Sequence, residues 1–308
     1  MTAAPLKIID AHHHLWDLSA CHYPWLMEKG VKRFFGDPAP IQKNYFVEDF
    51  RSDYGDLNIV KSVHIQVGTD EADAVKETEW LQSCADSQGL PSAIVGFVDL
   101  TDENRDAILD AHLQYDAVRG VRQIVSRNVE EDARTGTCAL LENLDFAAGL
   151  KRLADLNLSF DLQLTPPVLK QAAGLFCRHS DTKLALCHTA SLQDFSEDGI
   201  VQWRSGLESL AAHENILCKI SGFGMFDNQW NRETIRDYVL QAIDVFTPAR
   251  VAFGSNFPVD KLYASYQEVM GAYLDITDGF SVSERQEMFY YNAEEFYSIC
   301  LKIRTDFF

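Results

Sequence analysis

The run Leu6-Lys7-Ile8-Ile9-Asp10-Ala11-His12-His13-His14 joins a short apolar strand directly to a histidine cluster. Residues two apart on a strand share a face, so His12 and His14 point the same way, with Asp10 behind them. Two imidazoles about 6–7 Å apart along one face can close on a divalent ion or flank a polar substrate. A bare histidine run would read equally well as a solvated segment. The strand fused to it, and a later strand ending in His188, favour a site.

Outward from this stretch, short β-like runs recur between longer helical patterns. The expected strands are Leu6–His12, Val60–Val67, Ala93–Val98, Val118–Ile124, Leu158–Leu164, Lys183–His188, Ile216–Ser221 and Arg250–Ser255. Amphipathic stretches lie between them at Asp73–Ser87, Asn104–Leu113, Leu144–Leu156, Pro167–Cys177, Trp203–His213 and Arg232–Phe246. Alternating β and α units imply parallel strands. Eight units in about 250 residues fit one closed (β/α)8 TIM barrel, taken as a single domain over residues 1–308. An open doubly wound sheet is the alternative. It usually carries a Gly-rich phosphate turn after its first strand, where this chain has histidines.

Strand alternation sorts faces. Leu158, Phe160, Leu162 and Leu164 oppose Ser159, Asp161, Gln163 and Thr165. With helices outside, the apolar row should face outward and the polar row into the barrel. The same logic turns Ser62, His64 and Gln66 inward against Val63, Ile65 and Val67, and Lys219 and Ser221 inward against Ile216, Cys218 and Ile220. His188 shares parity with Leu184 and Leu186, so it needs a local twist or bulge to face inward. Residues 17–58 form a long loop after the first strand, rich in aromatics. Its aromatics either stack on a ring substrate or cover the mouth, or the excursion packs on itself as a subdomain that seals one end of the barrel.

The chain has 308 residues, 46% hydrophobic and 11% aromatic, which is ample for a buried core. Its net charge of -19, from 46 acidic and 27 basic residues, argues against nucleic acid and anionic membrane as partners. An anionic substrate would need local arginines. The seven cysteines (21, 84, 138, 177, 187, 218 and 300) form no Cys-x-x-Cys pair and read as reduced thiols of a cytoplasmic protein. The start, Met-Thr-Ala-Ala-Pro, lacks a signal-peptide apolar region, and no apolar run reaches the 18 residues of a membrane span.

With these residues in place, the chain resembles the amidohydrolase superfamily, in its amidohydrolase-2 branch with sugar lactonases and 2-pyrone-4,6-dicarboxylate lactonase. The matching text is Asp10 to Asp17, Tyr23-Pro24-Trp25-Leu26, Ser62 to Gln66, Arg119-Gly120-Val121-Arg122-Gln123, Phe160 to Leu164, Cys187-His188-Thr189, Lys219-Ile220-Ser221-Gly222, and Phe253-Gly254-Ser255-Asn256-Phe257-Pro258-Val259-Asp260. Each fragment is weak alone; the ordered set is specific. The resemblance implies a (β/α)8 barrel with its site at the C-terminal strand ends. It implies that His12 and His14 match the His-x-His of the first strand and His188 the sixth-strand histidine. Together these would be ligands for one divalent metal ion, Zn or Mn. Asn256 stands where the superfamily usually has an aspartate that takes a proton from the attacking water. An amide cannot act as that base.

Lactone hydrolysis needs a deprotonated water, stabilised charge on the acyl oxygen and a proton for the leaving ring oxygen. With a metal, His12, His14 and His188 leave a position open for water. Without one, the three histidines and Lys219 would polarise the carbonyl. Asp260, four residues past Asn256, is a candidate base if a turn returns it to the site, or else a helix cap. Asp161 and His64 are alternative bases; Asp161 also suits pairing with Arg119 or Arg122. Arg122 is the candidate contact for a substrate carboxylate or hydroxyl. His64, Gln66, Gln163, Lys219 and Trp16 complete the expected substrate-binding set. His112, His179 and His213 read as surface residues. The expected partner is a small lactone or sugar-acid substrate, in a chain that forms a homo-oligomer. A metal-dependent decarboxylase and a non-catalytic binding barrel are the competing functions.

Overall fold

The computed structural model describes residues 5–299; Met1 to Ala4 and Cys300, on which parts of the cysteine and N-terminal readings rest, lie outside them. Eight parallel strands are β1 (Ile8–His13), β2 (Ile59–Ile65), β3 (Ala93–Gly96), β4 (Val118–Ile124), β5 (Ser159–Gln163), β6 (Lys183–Leu186), β7 (Ile216–Ile220) and β8 (Val251–Phe253). They hydrogen-bond in sequence order. The C-terminal ends of β8 and β1 meet where Asn256 N donates to His12 O and His14 N donates to Phe257 O, both at 2.7 Å. This is the expected (β/α)8 barrel, in which every strand lies within a residue or two of its expected start.

The intervening helices follow their apolar periodicity and are stopped by local caps. Asn143 accepts from Asp145 N and Phe146 N ahead of Leu144–Asp155, and Asn231 and Thr234 form a capping box ahead of Arg232–Phe246. The helix expected at Trp203–His213 instead runs Glu197–Ala211. Its first turn, Glu197-Asp198-Gly199, has no apolar period, and Ser196 begins it by accepting from Gly199 N.

Ile9, Ala11, Val63, Ile65, Ala93, Val95, Ala185, Leu217 and Ala252 pack together inside the barrel, and Ala293, Tyr297 and Ile299 join them at the end opposite the site. The expected facing of β2 is therefore reversed: Val63 and Ile65 point in, while Ser62 and His64 point out. Small and branched apolar side chains fill the interior of such barrels, and this part of β2 belongs to that packed layer. The expected facing holds for β5 and β7. Phe160, Leu162, Cys218 and Ile220 join the outer core under the helices, and Asp161 and Lys219 meet in the interior.

The loop after β1 is closed at its base by paired backbone bonds between Trp16 and Tyr45, 3.0 Å each way. Trp16, Tyr23, Tyr45 and Phe50 are buried in its own packing. Its tip carries Trp25, Arg33, Phe34 and Phe35 to the barrel mouth. The loop thus both packs on itself and reaches the barrel mouth, through different residues.

Candidate active site

A cavity of about 490 Å³ opens at the C-terminal ends of the strands, lined among others by His14, Gln66, Arg122, Gln163, His188 and Asn256. His12 lies one layer deeper, its ring centroid 4.4 Å from His188 and 5.2 Å from His14. Simple alternation does not place His12 and His14 inward, because Ala11 already faces the interior. Asp10 pairs with Ser62 and His13 with His64, so β1 holds one residue more than β2 across this step. That bulge turns His14 into the cavity and His12 toward the interior beneath it, and stacks His13 on Phe50 outside, at 4.3 Å.

His188 is redirected by a different device. Residues His188, Thr189, Ala190 and Ser191 all have positive φ, between 48° and 62°. Left-handed backbone is costly for non-glycine residues, and four in succession mark a segment over-determined by its surroundings. The turn breaks the parity of β6 and brings Nδ1 of His188 within 2.8 Å of Ser221 Oγ, which leaves Nε2 free toward the cavity.

His14 Nδ1 lies 2.8 Å from Ile65 O, which accepts its proton, and Nε2 lies 3.2 Å from Asn256 Oδ1. Asn256 Nδ2 in turn donates to Asp260 Oδ1 at 3.0 Å. Asp260 is buried, and its acidity is weakened to a pKa of about 7, mainly by desolvation. Two proton arrangements satisfy this chain. Ionised Asp260 accepts from the amide, whose oxygen then requires a second proton on His14, the imidazolium form that burial disfavours. Neutral Asp260 donates to the amide oxygen, and the reversed amide donates to a bare Nε2. The turn after β8, which contains the cis Phe257–Pro258 bond, does return Asp260 toward the site. Asn256 stands between its carboxyl and the cavity.

Burial pushes the three imidazoles toward their neutral forms: His14 to about 3, and His12 and His188 well below the usual histidine range. Lys219 adds to the effect at His12, and Arg122 at His188 and His14. Neutral imidazoles are what metal ligation requires. Both ring nitrogens of His12 are buried without a partner, an arrangement that a cation between His12 and His188 would satisfy. The donor chemistry therefore fits a divalent ion, with an amide where a carboxylate would complete the set. Among the described residues, no three His, Cys, Asp or Glu side chains already stand in metal-holding geometry.

Arg122 is buried at 5% exposure, donates from Nη1 to Gln163 Oε1 at 3.1 Å and from Nη2 to Gln66 O, and keeps Nε without a partner. Arg119 faces the other way and donates to Asp116 O and Val118 O, at 2.6 and 2.8 Å. Asp161 pairs with Lys219 rather than with either arginine, and Tyr297 Oη donates to it at 2.8 Å.

Five of the expected site residues do not line the cavity: His12, which lies beneath it, and four others. His64 is fully buried outside β2, its Nδ1 accepting from Leu15 N at 3.1 Å, because β2 presents its other face. Lys219 is held below the histidines by Asp161. Trp16 is fully buried and donates to Lys43 O at 2.6 Å, and Trp25 from the same loop takes the place at the wall. Asp260 is separated from the cavity by Asn256, which donates to it. His112 is also no surface residue: it is fully buried between Thr78 Oγ1 and Phe97 O, at 2.9 and 3.0 Å. The cavity residues Arg33 and Arg127 were not expected, although Arg127 follows β4 directly and the -19 charge makes convergent arginines conspicuous.

A (β/α)8 barrel with a histidine cluster at its C-terminal mouth defines the class. A family model described as "Amidohydrolase" matches residues 9–299, and the chain belongs to that family. It is 41% identical over 297 residues to the uncharacterized protein y4mH of Sinorhizobium fredii, covering 96% of this chain and 99% of that protein. It is 29% identical over 272 residues to the L-fucono-1,5-lactonase of Burkholderia multivorans, covering 85% of each. Among solved structures, a Burkholderia multivorans amidohydrolase with bound Zn superposes with a TM-score of 0.80 at 25% identity, covering 95% of this chain and 99% of that one.

Proposed function

We propose that this amidohydrolase-family hydrolase opens a small lactone by attack of water at the barrel mouth. The observation that carries the reading is the convergence of His14, His188 and Asn256 with the Arg122–Gln163–Gln66 group on one cavity. The lactonase relative supports the substrate class.

Arg122 and its two glutamines orient a carboxylate or hydroxyl of the substrate, since a guanidinium makes forked bonds to such groups. This holds the lactone carbonyl over the histidines. His188 Nε2, bare and facing the cavity while Ser221 fixes the other nitrogen, accepts the proton of the attacking water. The water oxygen bonds to the acyl carbon, the ring C–O bond breaks, and the same proton returns to the ring oxygen, giving the hydroxy acid. Asp260, through Asn256, sets the proton position at His14. In the metal-bound alternative, a divalent ion would be held by His12, His14 and His188, whose Nε2 would then be a ligand and not the base; Zn or Mn there would supply Lewis-acid polarisation and a more acidic water.

The deciding experiment is metal content of the purified protein together with turnover of a lactone panel before and after chelation. Stoichiometric metal, with activity lost on removal and restored on return, supports the ligated form. Turnover by metal-free protein supports the direct role of the histidines. Release of CO2 from aromatic carboxylates without lactone opening would replace the reading by a decarboxylase. Ligand binding without turnover would replace it by a binding barrel.

A further inference from the structure

One side of the cavity is formed by Trp25, Phe34, Phe35, Phe97, Met225 and Val259. Phe35, Met225 and Val259 pack as their own cluster, separate from the barrel core, with Trp25, Phe34 and Phe226 against it. Phe34 stacks on Phe226 at 5.7 Å and meets Phe35 edge-on at 5.1 Å. Trp25 is fixed by donating from Nε1 to Val67 O at 2.7 Å, so its ring stands as a rigid wall.

The opposite side is polar, but most of its neutral hydrogen-bonding groups are already engaged, the amide nitrogen of Gln163 and Nε2 of His188 apart. Gln66 accepts from Gly68 N at 2.6 Å, and Gln163 accepts from Arg122. Gln123 accepts from Leu100 N and donates to Asp99, at 3.0 and 2.9 Å. Asn256 is held by Asp260 and His14. Among the lining side chains, the buried polar atoms left without a partner are Arg33 Nε, Thr69 Oγ1 and Arg122 Nε. A polyhydroxylated sugar lactone brings a hydroxyl on nearly every carbon, and each loses free energy if it is desolvated without a partner. This cavity offers the buried Arg122, the part-exposed Arg33 and Arg127 that share Glu131, and a broad aromatic wall instead.

We propose that the cavity takes a lactone bearing an aryl or branched alkyl group and a single carboxylate, the apolar group against the Trp25–Phe34–Phe35 wall and the carboxylate on Arg122. This rests on the lactonase reading and assigns its substrate class. The wall belongs to the loop after β1 and to the segments after β3, β7 and β8, so the barrel's catalytic end is unchanged by what the wall selects.

The test compares kcat/KM for phenylparaconate, for unsubstituted paraconate and for the sugar lactone L-fuconolactone. Phenylparaconate should exceed the sugar lactone by about a hundredfold and paraconate by about tenfold, the equivalent of one well-buried contact of about 1.4 kcal/mol per decade. Phe34→Ala should lose about tenfold on phenylparaconate through KM and clearly less on paraconate, and Phe34→Leu should recover part of that loss. Titration calorimetry of the two ring-opened acids, the phenyl-bearing product and L-fuconate, reports binding without turnover. Preferred or equal turnover of L-fuconolactone would overturn the inference and leave the lactonase reading standing. No turnover of any lactone, with the phenyl-bearing acid still bound more tightly, would support the wall and overturn the lactonase reading. No turnover and no such preference would overturn both.

Discussion

Lys219 and Asp161 form an ion pair at the centre of the barrel, both side chains fully excluded from solvent. Lys219 comes from β7 and Asp161 from β5, and Tyr297 Oη gives Asp161 a further donor from the segment that closes the opposite end. Removing one partner of a buried pair leaves an uncompensated charge, which costs about 3–5 kcal/mol. Lys219→Met should therefore lower stability by that amount in denaturant unfolding. The double variant Lys219→Met/Asp161→Leu should recover most of the loss. A double variant as unstable as the single one would show that the pair is not the source.

Glu77 supplies a pH-dependent stability. It is buried at 1% exposure, accepts from Val67 N at 3.3 Å, and is pushed up by desolvation to a pKa of about 8. The folded state holds this proton where the unfolded state has released it, so the contribution is full below the ordinary glutamate value of 4.5 and is lost as pH rises to about 8. Glu77→Gln should melt higher than the parent above pH 8, by several degrees, and the gap should close in acid. Equal melting temperatures across the pH range would contradict the assignment.

His188→Ala should reduce kcat by about 10²–10⁴-fold, the usual contribution of a positioned proton acceptor. Circular dichroism should stay unchanged. Ser221→Ala, which frees His188 Nδ1, should reduce kcat less and leave KM near its parent value.

Asp260→Asn keeps a hydrogen-bonding partner for Asn256 but removes the titrating group from the chain. Asp260 titrates at about 7 when buried, so the parent enzyme's kcat should change across neutral pH and the variant's profile should be flat there. An unaltered profile would remove Asp260 from the proton chain.

Arg122→Lys keeps the charge but loses the fork that reaches Gln163 and Gln66 O. Its KM for a carboxylated lactone should rise about tenfold or more, since a lost charge-assisted hydrogen bond is worth about 1.5–3 kcal/mol. For a lactone without a carboxylate the change should be small.

Much of this molecule was legible in the chain itself. Strand and helix alternation is a short-range property of side-chain spacing, so all eight strands, the polar inward row of β5 and the inward Lys219 followed from local periodicity. His12, His14 and His188 as a set came instead from the ordered family motifs, and periodicity said only that Arg119 and Arg122 face opposite ways. Features that depend on neighbouring strands were decided only in the assembled barrel. The extra residue between Asp10 and His13 exists only relative to β2. The facing of Val63 and Ile65 depends on which layer needs filling, and it removed His64 from the site. The positive-φ turn at His188 is held by contacts such as Ser221, and Asp161 chose Lys219 across the barrel. Periodicity fixes which residues alternate along a strand. Register and burial, set by contacts far apart in sequence, fix which of the two faces becomes the site.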